Sequence, residues 1–166
     1  MLNDQEWQHS LPDFLIESQT LLAKSEECLS HLELFVNDKD AIECLLNALL
    51  TLANKANELT LDGITDFSLR IHRLLSLAYP HTCLQGEALV CLKNCFTLLA
   101  WQLELVDADT GVLLLDDHEQ LELLYAFAII AGLEGELASL VPSQTWSASL
   151  KLKSASAEGI DPVRLG

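Results

Sequence analysis

Apolar residues recur every three or four positions along most of this chain, the spacing of an α-helix that buries one side. The repeat is clearest over 41–60, where Ile42, Leu45, Leu46, Leu49, Ala53 and Ala56 form one stripe. Glu43, Asn47, Leu50, Thr51, Asn54, Lys55 and Glu58 fall mainly on the other side. Asp40, placed to accept a backbone hydrogen bond, and Glu43 three residues on form a capping box that predicts the start of this helix. A preceding helix is predicted over 12–35 with the stripe Phe14, Leu15, Leu21, Leu22, Cys28, Leu29, Leu32 and Phe35, Ser10 or Leu11 at its cap and Pro12 in its first turn.

The pattern continues after a break at 59–63. Ile64, Phe67, Leu69, Ile71, Leu74, Leu75 and Ala78 give a third helix ended by Tyr79 and Pro80. Thr82 with Gln85 forms a second capping box for a fourth helix through Leu84, Ala88, Cys91, Leu92, Cys95, Leu98, Leu99 and Leu103 to Val106. Short connections between four such helices predict an all-α fold, an up-down antiparallel four-helix bundle over 12–107, with 1–11 as a lead-in or short helix. A turn-rich stretch at 107–111 precedes an additional helix capped by Asp117 and Gln120 and running to Val141 and Pro142, within a segment 108–145. Its middle is apolar on nearly all sides, so it packs either on the bundle or on a partner, including a second copy in a homodimer through 117–141. After Trp146, residues 146–166 are rich in Ser, Ala, Lys and Gly and read as a tail or linker.

Charge narrows the partners. With 25 acidic and 9 basic residues the chain carries −16, which opposes binding to nucleic acid or anionic membrane. Its first use is solubility for a Leu-rich protein, with a basic protein partner as the lesser alternative. No run of about 18 apolar residues is free of polar interruption, and the N-terminal residues lack the basic and apolar regions of a signal peptide, so the chain is expected in the cytoplasm. Cys28, Cys44, Cys83, Cys91 and Cys95 are odd in number and scattered through predicted helices, which suits reduced packing residues. His81, Cys83, Cys91 and Cys95 lack the spacing of a zinc set, so no metal and no cofactor is expected. The histidines, His9, His31, His72, His81 and His118, pair with no serine, cysteine or carboxylate in a nucleophile motif, and no Gly-rich phosphate loop occurs.

Residues 13–33, with an acidic residue, hydrophobics, Glu17-Ser18 and Leu-rich turns, resemble the opening helix of the histidine phosphotransfer domain of chemotaxis-type histidine kinases. The second helix of that family reads as a hydrophobic pair, two residues, then Ala-His-x-hydrophobic-Lys-Gly-x-Ala, and 45–56 is similar in its apolar positions. Residues 66–75, with Ile71-His72, resemble the third helix and 87–105 the fourth, so the resemblance spans 12–107. It implies a four-helix domain that exchanges phosphate with receiver domains through a histidine. Matching the apolar stripes puts Leu50 at the phosphoacceptor position, with Ala53 and Asn54 for the flanking Lys and Gly; two other registers put Ala53 or Asn54 there. None of these side chains is a nucleophile comparable to imidazole.

The resemblance therefore implies a degenerate, non-catalytic domain that binds a receiver or other signalling protein, with Leu50, Asn54, Lys55 and Asn57 as its contact face. Two alternatives stand beside it: an active phosphotransfer protein that uses His72 as a displaced acceptor, and a structural helical bundle unrelated to phosphorelay.

Overall fold

The computed structural model describes residues 4–107 and 118–139, and side-chain surroundings for 10–107 and 118–136. Among the described residues it is all-helical, without strands: α1 (Asp4–Leu34), α2 (Lys39–Glu58), α3 (Asp62–Ala78), α4 (Glu87–Leu105) and α5 (His118–Ile130), followed by the 3₁₀ turn Glu134–Ser139. The five α-helices belong to one compact unit ending at Leu133, and the 3₁₀ turn belongs to a second. The segment 146–166, the turn-rich stretch at 108–111 and the Asp117 cap lie outside the described residues.

α1 starts at Asp4, well before the predicted 12, and runs through Pro12. Proline has no N–H for the carbonyl four residues back, so the helix passes through it one hydrogen bond short. The buried stripe makes up for this. Leu11, Phe14, Ser18, Leu22, Ser25, Leu29 and Leu32 are all buried at steps of three and four. The two serines fit this apolar row because their hydroxyls are satisfied within the helix, Ser18 Oγ donating to the Phe14 carbonyl at 2.7 Å and Ser25 Oγ to the Leu21 carbonyl at 2.8 Å. Phe35, assigned to the stripe from its spacing, lies past the helix end and is 57% exposed.

α1 packs on α2 and α4, α2 on α3, and α3 on α4, so each of these helices meets two of the others; α5 lies against α3 and α4. Asn37, with φ 55° in the turn between α1 and α2, fixes the ends. Its Nδ2 donates to the Thr82 carbonyl at 2.9 Å and its Oδ1 accepts from the Leu84 N–H at 2.7 Å. α1 thus ends and α2 begins beside the turn where α3 ends and α4 begins. Thr82, expected to cap α4, instead donates its hydroxyl to the Ala131 carbonyl at 3.0 Å and ties in the end of α5, and α4 starts later, after Gly86.

α5 is shorter than its apolar composition suggests. It stops at Ile130 because Gly132 takes φ 75°, a left-handed conformation open to glycine, which lets the Leu133 N–H reach back to the Ala128 carbonyl at 2.7 Å. Leu121, Leu124, Phe127 and Ala128 are buried within this chain, whereas Ile129 and Ile130 face outward. α4 is long and apolar enough to cross a membrane by composition, but half of that stretch is buried within the protein.

Candidate functional site

The orientation of α2 determines which of its side chains face solvent. Its cap is Asp38, two residues before the acid expected from the sequence, with Oδ2 accepting from the Ala41 N–H at 3.0 Å. From that start Ala41, Ile42, Leu45, Ala48, Leu49, Leu52, Ala53 and Ala56 are buried, and Leu46 is half-buried at the edge. The opposite side is a single exposed row, Glu43, Asn47, Leu50, Asn54 and Asn57, at steps of four, three, four and three. Leu50 is 41% exposed in the middle of these polar residues.

The positions singled out in the sequence separate on this helix. Leu50, Asn54 and Asn57 share the exposed row. Ala53 is 1% exposed, so a group there would be shut away from any approaching protein. Lys55 sits about 140° around the helix from Leu50. It turns toward α1, where its Nζ lies 2.5 Å from Glu17 Oε2, and donating that hydrogen bond raises its pKa. Lys55 is therefore a tie between α1 and α2 and is not part of the Leu50 row. On α3, which packs on α2, Leu69 is also 41% exposed, although its spacing alone assigns it to the core stripe. Beside the row, an open groove of about 400 Å³ between α1 and α2 is lined by Leu21, Lys24, Asp40, Glu43, Cys44 and Asn47 among others.

No family model, curated protein or solved structure matches this chain. Its chemistry therefore has to be read from its own side chains.

His72 is half-buried on α3. The exposed His31 lies with Nε2 3.5 Å from Asp38 Oδ2 and its ring 4.7 Å from that of Phe35, beside the cap of α2. His118 pairs with Glu122 at 3.1 Å, His81 is exposed in the α3–α4 turn, and His9 lies on α1 with its side chain outside the described set. Among the described residues no three His, Cys, Asp or Glu side chains come together as a metal site.

The thiols have a physical signature of their own. Burial, followed by the neighbouring Cys44 thiol on α2, pushes Cys28 on α1 up to about 12. Burial, then the neighbouring Cys91, pushes Cys95 up from 9.0 to about 12. A thiol whose pKa is raised by folding stays protonated in the native state while the unfolded chain ionises first. Its stabilising effect is thus intact below 9.0 and is lost as pH rises toward about 12. For Cys95, which is almost fully buried, the free energy of unfolding is expected to fall over that window by up to about 1.4 kcal/mol per pH unit. Cys95→Ala should make the fall shallower in urea titrations followed by circular dichroism.

Proposed function

We propose that this chain is a degenerate phosphotransfer-like domain that binds a receiver domain, or another protein of a two-component or chemotaxis-type pathway, without carrying phosphate. In this reading α1 to α4 form an up-down antiparallel four-helix bundle, with α5 as an added helix on its α3 and α4 side. The closed set of packing pairs and the two turns joined through Asn37 support that arrangement. The observation that carries the functional reading is Leu50, an outward-facing apolar residue at the position that corresponds to the reactive histidine when the apolar stripes are matched; the other two registers put Ala53 or Asn54 there. Imidazole can attack an aspartyl phosphate; leucine and the neighbouring Asn54 cannot. What they can do is contact a protein surface, leucine by burying apolar area and the asparagines by hydrogen bonding at its rim.

The row of Leu50, Asn54 and Asn57 is small enough for a transient signalling contact, for which affinities in the micromolar range are ordinary. The chain's charge of −16 keeps nucleic acid and anionic lipid out of the reading, which concerns a protein partner within the cell. Isothermal titration against a panel of receiver domains, each unphosphorylated and beryllofluoride-activated, tests it. The expected result is a 1:1 complex with at least one receiver, and binding to none would overturn the reading.

A further inference from the structure

A second surface lies between α1 and α4, away from the Leu50 row. A cavity of about 540 Å³ there has an apolar lining of Leu15, Leu22, Ala23, Ala100, Leu103 and Val106. A further cavity of about 250 Å³ adjoins it, sharing Leu22, Glu26 and Ala100 and continuing past Leu29 and Phe96. Together they make one trough that follows α1 from Leu15 to Ser30, about 22 Å at the rise of an α-helix. It stays open because small residues, Ala23 at its rim and Ala100 in its floor, stand where larger side chains would close the gap. Ile16 and Trp101, one position on from Leu15 and Ala100, are 64% and 59% exposed and extend the apolar surface outward on both helices.

The occupant is constrained by shape and by charge. A trough about four turns long suits a rod better than a compact ligand. Its two walls each present an exposed carboxylate, Glu26 on α1 and Glu104 on α4, while Lys93, the one lysine in the lining, is paired with Glu33 and leaves the trough with a net negative charge. A fatty acid or a phosphate would meet like charge there. So would a second copy of this chain, since both copies carry −16. We propose that the α1–α4 trough binds a cationic amphipathic helix from another protein, its apolar stripe on the Leu22 and Ala100 floor and its lysines or arginines against Glu26 and Glu104. Helix-in-groove recognition of this kind draws affinity from the apolar stripe and steering from the charges. The trough is built by α1 and α4 and the Leu50 row by α2, so this interaction is independent of receiver binding.

The test titrates the full chain with a synthetic helix of about 18 residues, leucine and lysine alternating at helical period, and with a shuffled peptide of the same composition that has no apolar stripe. The periodic peptide should bind 1:1, with the shuffled one about tenfold weaker or worse. Ala100→Trp, which fills the floor, should weaken binding about tenfold. Glu26→Lys with Glu104→Lys, which changes only exposed positions, should weaken it similarly and flatten its salt dependence. Leu50→Glu should leave it unchanged. Equal binding of the shuffled peptide, or binding indifferent to both trough variants, would overturn the proposal. So would a dimer of the free chain that Ala100→Trp breaks, which would give the trough to a second copy.

Discussion

Phe127→Asp is expected to unfold the helical unit or leave it barely folded at room temperature, while Ile130→Asp, three residues on, leaves it intact. Phe127 is 2% exposed in a helix that packs on both α3 and α4. Truncating a buried phenylalanine to alanine costs about 3–5 kcal/mol, and the aspartate adds the penalty of a carboxylate in an apolar site. Whole domains have about 5–15 kcal/mol to lose. Ile130 is 37% exposed, so its replacement loses part of a side chain's burial but places the charge where water can reach it; a cost of about 1–2 kcal/mol is expected, well short of that at Phe127. Thermal and urea unfolding followed by circular dichroism separates the two variants. A folded, cooperative Phe127→Asp monomer would mean that α5 is dispensable to the fold.

The second large effect falls on binding. Leu50→Glu should change the free energy of unfolding by no more than about 1 kcal/mol, since the side chain is outward-facing and its neighbours are polar. The same change should weaken the proposed receiver complex by about 2 kcal/mol, roughly thirtyfold, the loss typical of a central apolar contact. Lys55→Ala provides the contrast. Its partner is Glu17 within the chain, so receiver affinity should hardly move.

The helices could be read from the chain wherever leucine keeps its period, as in α2 and α3, because burial of one side is what sustains them. Their boundaries were harder to read. Asp38 and Asp40 are equally good caps by chemistry, and the choice of Asp38 rests on where the α1–α2 turn places the backbone. Thr82 offers a capping hydroxyl but spends it on Ala131, a contact between segments 49 positions apart that local spacing cannot contain. Ser18 and Ser25 show the converse, polar residues at core positions made tolerable by hydrogen bonds inside their own helix. The stop at Gly132 is missed by periodicity, because apolar residues keep helical spacing on both sides of it and the predicted helix runs on to Val141. For the candidate face, the exposed position of Leu50 follows from its place among polar residues. The departure of Lys55 toward Glu17 does not, since it depends on which helix packs beside α2. The α1–α4 trough left no trace in the periodicity, because it results from small side chains on two helices meeting in space.

The claim that this domain binds without accepting phosphate is tested most directly by incubating it with ³²P-phosphorylated receivers that form a complex with it, then measuring acid-labile phosphate on the chain. The account predicts none, with the receivers losing label to water alone. Acid-labile phosphate on any histidine would contradict it, most pointedly if His72→Gln abolished the transfer while the fold survived.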